Sequence, residues 1–289
     1  MTTTGVPTFL VLGAGVMGTG IAGLALLHGA GVVLADIDEA ALARARAGTA
    51  DAARMARLVG AAPADLSPGT LSTTTEAAAA VRTRPPTVVI EAVTEDPARK
   101  AAVLKDIAAA VPPGTPLISN TSSIPVDELA GGVPRPGDLL GVHFMNPAYL
   151  IPTVELIKGP RTSPEAVAGA MAALTALRRT AIVVRDAPGF VTSRLLHPMI
   201  NDAARVVQEG TASVQDVDTL MQSCLGHRTG PLRTADLIGI DNLVDSLLVL
   251  HARTGDERCR PCDLLQEMAR DGRHGRKSGR GFYEYTKVG

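Results

Sequence analysis

The feature that most constrains this chain is a turn. The apolar run Phe9-Leu10-Val11-Leu12 ends in Gly13-Ala14-Gly15-Val16-Met17-Gly18, a buried strand breaking into a helix with G-x-G-x-x-G spacing. Gly13 permits the tight turn, Gly15 lets a pyrophosphate approach the backbone, and Gly18 lets the helix lie close to the strand. The helix N-terminus then offers N–H groups to an anion. A second apolar run, Val32-Val33-Leu34-Ala35, ends in Asp36. A carboxylate there can accept both ribose hydroxyls of an adenosine and would repel a 2′-phosphate, so NAD is expected rather than NADP. An ordinary polar residue closing a strand is the alternative for Asp36. The spacing taken together favours a cofactor site made of Gly13, Gly15, Val16, Met17, Gly18 and Asp36.

Composition removes several other classes. The chain has 289 residues, enough for two domains, and its 28 Lys and Arg nearly balance 29 Asp and Glu. No global field therefore recruits nucleic acid or an anionic membrane. Aromatic residues are 2 % of the chain, too few for single-strand stacking platforms. The longest apolar stretch, 21–35, is interrupted by Gly23, His28, Gly29 and Gly31 and is too short to cross a bilayer; with no signal-like segment before it, a cytoplasmic location is expected. Cys259 and Cys262 form a lone C-x-x-C with no second pair or histidine spacing, so they read as ordinary thiols and no metal site is expected.

Apolar spacing predicts helices over 15–28, 40–59, 97–111 and 164–177, and strands over 87–93, 117–120, 140–143, 154–157 and 181–184. The proline- and glycine-bearing stretch 61–75 reads as loop. Arg44, Arg54 and Arg57 could share part of a helix face, either as a grip on a phosphate-bearing partner or as solvated surface. From Arg194 onward only helical periods remain, over 194–209, 214–224, 242–252 and 264–270. The expected fold is α/β, a Rossmann-type doubly wound sheet over residues 1–187 followed by an all-helical C-terminal domain over 188–289.

Ligands of such sheets collect at the carboxyl ends of strands, where Glu91 with Glu95, the run Ser119-Asn120-Thr121-Ser122-Ser123, and His143 all stand. Oxidising an alcohol requires a base for the hydroxyl proton, a donor to fix the oxygen and a nicotinamide to take the hydride. His143 suits the base because imidazole titrates closest to neutrality. Glu155 could hold its other ring nitrogen, and Ser122 could donate to the reacting oxygen. Taken singly, each could equally be a hydrogen-bonded core or turn residue.

These segments occur in an order that resembles the L-3-hydroxyacyl-CoA dehydrogenases. The resemblance runs through Gly13 to Gly18, Glu91-Ala92-Val93-Thr94-Glu95, the Ser119 to Ser123 run and His143-Phe144-Met145-Asn146-Pro147. It continues through Pro188-Gly189-Phe190-Val191, Gly230-Pro231-Leu232, Ala235-Asp236-Leu237-Ile238-Gly239 and the segment from Gly275 to Tyr283. It implies a helical domain that forms a homodimer, a substrate cleft between the two domains, and His143 as general base with Glu155 as its partner. It further implies that Ser122 and Asn146 contact substrate and nicotinamide, and that Glu95, Lys100 and Lys277 line the cofactor site.

Three departures bear on the substrate. Ser193 stands where the family usually has Asn before Arg194-Leu195-Leu196; it reaches less far and has one donor where the amide has two. Tyr149 lies in a segment where relatives usually carry Pro and Lys, and would shorten the acyl pocket. The region from Asp36 to Thr87 is shorter than usual and lacks the Lys-rich hairpin that grips CoA. These differences point to the relatives that oxidise a glyceryl-type group on an acyl carrier protein, toward a hydroxy- or methoxymalonyl polyketide extender unit. A short-chain CoA-linked enzyme of fatty-acid metabolism is the alternative. A free hydroxy-acid or sugar-acid dehydrogenase, with Arg194 clamping the carboxylate, is a third reading. A non-catalytic NAD-binding protein is disfavoured by the presence of His143 and Glu155.

Overall fold

The computed structural model describes residues 7–285; residues 1–6 and 286–289, the outer ends of the two expected domains, lie outside it. The chain divides into two compact units, one ending at Ala187 and one starting at Pro188.

The first unit is built on one eight-stranded sheet. Its strands are β1 (Thr8–Leu12), β2 (Gly31–Ala35), β3 (Leu71–Thr74), β4 (Val88–Glu91), β5 (Leu117–Ser119), β6 (Leu139–His143), β7 (Thr153–Lys158) and β8 (Thr180–Arg185). They lie side by side in the order β3-β2-β1-β4-β5-β6-β7-β8. The helices of this unit are α1 (Val16–Leu27), α2 (Glu39–Leu58), α3 (Ala77–Thr83), α4 (Pro97–Ala110), α5 (Val126–Ala130) and α6 (Pro164–Ala176). Central strands of a parallel sheet are covered on both faces, which is why β1, β4 and β6 read as unbroken apolar runs. Phe9, Val11, Val88, Ile90, Leu140 and Val142 all sit in its core. The order reverses direction between β1 and β4, and this switch point is where open α/β sheets bind ligands.

One expectation is corrected. The stretch 61–75 is not all loop: Leu71-Ser72-Thr73-Thr74 forms β3, pairing in parallel with β2 from Val32 to Ala35. Its hydroxyl-rich, half-exposed sequence suits an edge strand and shows no apolar run. The sheet is parallel except at one step. β7 runs antiparallel to β6, and β8 returns parallel to β7.

The second unit contains α7 (Thr192–Gln208), α8 (Val214–Leu225), α9 (Pro231–Ile238), α10 (Ile240–Thr254) and α11 (Asp263–Arg270). Ile200, Leu232, Leu243, Leu247 and Leu265 form its core, which also contains Cys259 and Cys262. Burial pushes both thiols up, so at neutral pH they serve as small apolar residues. Two of the motifs quoted above become one structure here. Asp236 accepts from the Phe282 and Tyr283 N–H groups, each at 2.9 Å, and from the Tyr285 hydroxyl at 3.0 Å. Gly281 is required beside it, because a Cβ there would lie 2.0 Å from Asp236 Oδ1. Among the described residues, no helix is long and apolar enough to cross a membrane.

Candidate active site

The glycine turn departs β1 at the switch point and opens α1. Gly13 adopts φ +99°, closed to most side chains, and a Cβ on it would meet the Ala92 carbonyl oxygen at 2.6 Å. A Cβ on Gly18 would lie 1.8 Å from the Gly13 carbonyl oxygen, so helix and turn touch through bare backbone. Gly15 has the opposite surroundings: nothing lies within 4 Å of its missing side chain, and it caps α1 without any side-chain hydrogen bond. A cavity of about 1300 Å³ opens there, lined by Gly13 to Met17 and by Asp36 and extending to Asn146 and Tyr149. An uncapped helix N-terminus, an open glycine and a carboxylate at the end of the next strand fit a dinucleotide. Gly18 lies behind this lining, supporting the turn. Arg44 also lines the cavity, 3.5 Å from Asp38, whereas Arg54 pairs with Asp51 at 3.0 Å.

Asp36 has a second task that the motif does not show. Its Oδ2 accepts the Ala14 N–H at 2.7 Å, tying the end of β2 to the glycine turn. Asp36→Ala is therefore expected to raise the NAD KM by about tenfold, the scale of one lost charge-assisted hydrogen bond, and to relax discrimination against NADP. Asp36→Asn keeps an acceptor for Ala14 and should relax discrimination with a smaller loss. Comparing kcat/KM for NAD and NADP checks this; an unchanged ratio in both variants would refute the assignment.

At the other end of the sheet, the reversal of β7 sets the register. His143 of β6 lies directly opposite Glu155 of β7. Opposed residues of an antiparallel pair project from the same face, and Nδ1 of His143 lies 3.0 Å from Oε2 of Glu155. Both side chains are buried. A carboxylate can only accept, so Nδ1 carries the hydrogen and Nε2 is the basic nitrogen. The end of β6 is pinned by Asn120, whose Oδ1 accepts the Phe144 N–H at 3.0 Å. Sequence reasoning placed Asn120 in a motif without giving it this task.

Ser122, half-buried, sits in the turn after β5, and Glu95 organises that turn. Oε1 of Glu95 accepts the Thr121 hydroxyl at 2.6 Å and the Ser122 N–H at 2.8 Å. Burial works to raise the Glu95 carboxyl, but the Lys100 charge and these donors outweigh it and hold the group below the usual range. Lys100 is not at a surface. It is 1 % exposed, with its ammonium 2.8 Å from Glu91 Oε1 and 3.2 Å from Glu95 Oε2. Removing one member of a buried pair costs several kcal/mol, so these groups stand as a set.

Asn146 is exposed just after Met145, and Tyr149 lines the cavity beside Ala148. Ser193 is buried in the first turn of α7, and Arg194 next to it is exposed. Lys277 lies in a short 3-10 turn, with its ammonium 2.6 Å from Asp241 Oδ2. The first unit thus brings together the glycine turn with Asp36, and separately His143 with Glu155 and Ser122 with Glu95. Ser193 and Lys277 belong to the second unit.

Comparison with known proteins agrees with both halves. Residues 8–187 match the family model "3-hydroxyacyl-CoA dehydrogenase, NAD binding domain", and residues 189–285 match "3-hydroxyacyl-CoA dehydrogenase, C-terminal domain". The chain is 40 % identical over 283 residues to the "Probable 3-hydroxybutyryl-CoA dehydrogenase" of Bacillus subtilis, covering 96 % of this chain and 97 % of that one. The crystal structure of M. tuberculosis FadB2 superposes with a TM-score of 0.90 at 33 % identity, covering 97 % of this chain and 99 % of that one. The (S)-3-hydroxybutyryl-CoA dehydrogenase PaaH1 of Ralstonia eutropha superposes with a TM-score of 0.84 at 35 % identity, covering 98 % of this chain and all of that one. The chain therefore belongs to the 3-hydroxyacyl-CoA dehydrogenase family, NAD-dependent oxidoreductases that act on a CH–OH group.

Proposed function

We propose that this protein oxidises the 3-hydroxyl of a small 3-hydroxyacyl thioester whose acyl group, of glyceryl type, is tethered to an acyl carrier protein. The product would be the 3-oxo thioester, on the way to a hydroxy- or methoxymalonyl extender unit for polyketide assembly. The observation that carries the chemistry is the in-register pair of His143 and Glu155, with Nδ1 3.0 Å from Oε2. Bound NAD supplies the hydride acceptor. His143 Nε2 takes the hydroxyl proton as the C3–H bond breaks, and Glu155 offsets the imidazolium charge through Nδ1. The Ser122 hydroxyl donates to the reacting oxygen, while Asn146 orients substrate and nicotinamide. Glu95 and Lys277 contribute to the cofactor side.

The carrier rests on what the chain lacks. The family's grip on CoA is a lysine-rich hairpin in the segment after the ribose-binding carboxylate, yet the first lysine in this chain is Lys100. A protein-borne pantetheine needs no grip on an adenosine phosphate. Ser193, shorter than the family's Asn, would leave room for a hydroxyl at C2, and Tyr149, in the segment after Pro147, would favour a short acyl group. CoA as carrier is favoured by relatives whose names specify 3-hydroxybutyryl-CoA. We further infer a homodimer formed through the helical unit, where Leu220, Leu225, Leu237 and Leu248 are exposed.

A side-by-side assay of glyceryl-loaded carrier protein and 3-hydroxybutyryl-CoA decides between carriers. The expected result is kcat/KM at least about tenfold higher for the carrier-protein ester, the scale of one well-used contact. Equal or better turnover of the CoA ester would remove the carrier-protein reading and leave the dehydrogenase chemistry in place.

A further inference from the structure

One face of α2 belongs partly to the cavity and partly to the surface. Ala41, Ala45, Gly48 and Ala52, at helical spacings of four and three, line the cavity that also takes in Asn146 and Tyr149. The wall between them is continuous: a Cβ on Gly20 of α1 would lie 3.8 Å from the Ala148 side chain, and one on Gly48 would meet the Thr19 methyl at 2.8 Å. The next two positions of the same series, Met55 and Val59, stand beyond the cavity at the end of α2 and are exposed. Leu58, three residues after Met55, is 75 % exposed. Single apolar side chains are common on surfaces, but three large ones together at the mouth of a cavity mark an interaction site. Arg54, four residues before Leu58, and Arg57 edge this patch. Arg54 pairs with the exposed Asp51, whereas Arg57 pairs with no carboxylate among the described residues. The surroundings are basic: residues 40–90 hold six arginines and three acidic residues, in a chain whose net charge is -1.

We propose that the outer end of α2 is the surface on which the carrier protein docks. A small acidic protein sets its negative face on Arg54 and Arg57 and its apolar contacts on Met55, Leu58 and Val59, and its pantetheine arm runs inward along Ala52 and Gly48 toward Asn146. This rests on the reading above that the acyl group arrives on a carrier protein, and it says where on this chain that protein binds. From Val59 to Gly48 the helix spans about 17 Å, a distance that calls for an extended tether, and the small side chains along it leave room for a thin chain. A second copy of this chain fits the surface poorly, because a two-fold contact would set Arg54 and Arg57 against their own counterparts. Three apolar side chains at one helix end match the small interfaces of transient encounters, under about 1,200 Å².

The test compares two esters on the full-length protein, glyceryl-loaded acyl carrier protein and 3-hydroxybutyryl-CoA. Leu58→Glu and Arg57→Glu, both at exposed positions, place a negative charge where an acidic partner would sit. Each is expected to raise KM for the carrier-protein ester by about tenfold with kcat kept within about twofold, while kcat/KM for the CoA ester and the melting temperature stay as they were. Added salt should raise KM for the carrier-protein ester in the unaltered protein and do so less in Arg57→Glu. Equal losses for the two esters, or an unchanged KM for the carrier-protein ester, would overturn the proposal. A changed oligomeric state, read by light scattering, would overturn it too, by making the surface a contact between copies. If the unaltered protein does not turn over the carrier-protein ester, the carrier reading itself falls and the docking surface falls with it; if it does and the variants match it, only the docking surface falls.

Discussion

Replacing His143 with alanine is expected to lower kcat by about 10²-fold to 10⁴-fold, the range general-base catalysis contributes, while NAD affinity stays near its original value. The imidazole is buried beside Glu155 at the end of β6, away from the glycine turn that opens α1 after β1. Its loss therefore removes proton transfer without disturbing the phosphate end. Glu155→Gln should give a smaller loss of kcat: the amide can still accept from Nδ1, but it brings no charge to offset the imidazolium. Steady-state kinetics with a 3-hydroxyacyl thioester, together with calorimetric NAD binding, separate the two effects. Near-normal turnover in His143→Ala would show that another group takes the proton.

Gly18→Ala is expected to produce the other large effect, with the reverse signature. One methyl group placed 1.8 Å from the Gly13 carbonyl oxygen cannot be absorbed by a side-chain adjustment, because the obstacle is backbone. Either α1 moves away from β1 or the turn at Gly13 deforms. Overpacking of this kind costs about 3 kcal/mol, which corresponds to about a hundredfold weaker NAD binding if the strain falls on the turn. Gly15→Ala is the instructive comparison. Its Cβ meets no protein atom within 4 Å, so the fold should keep its thermal stability and only cofactor binding should suffer. Thermal melts with and without NAD distinguish the two; equal melting temperatures and equal NAD affinity for Gly18→Ala and the unaltered protein would contradict this account.

The Rossmann portion was legible in the sequence wherever burial on both faces imposed an apolar run, as in Phe9 to Leu12 and Val88 to Glu91. β3 was not, because an edge strand needs little apolar surface and Leu71-Ser72-Thr73-Thr74 has the composition of a turn. Helices α3 and α5 escaped for a related reason: at seven and five residues they are too brief for a 3.6-residue period to declare itself. The direction of β7 was hidden as well, since strand polarity leaves no mark on a stretch as short as Val154-Glu155-Leu156-Ile157. In the candidate site, residue types were readable and partners were not. Nothing in the sequence showed the three acceptors that surround Lys100, and Asp36 gave no sign of its bond to Ala14.

The antiparallel step between β6 and β7 has an evolutionary consequence. His143 and Glu155 are held by the ladder itself, while the chain joining their strands, residues 144–152, carries Asn146 and Tyr149 to the cavity wall. Lengthening, shortening or rewriting that connection reshapes what the cavity admits without shifting the strand pairing that fixes the acid–base couple. On the function proposed above, drift in that one short segment would change what the cavity accepts while the pairing of His143 with Glu155 is inherited unchanged.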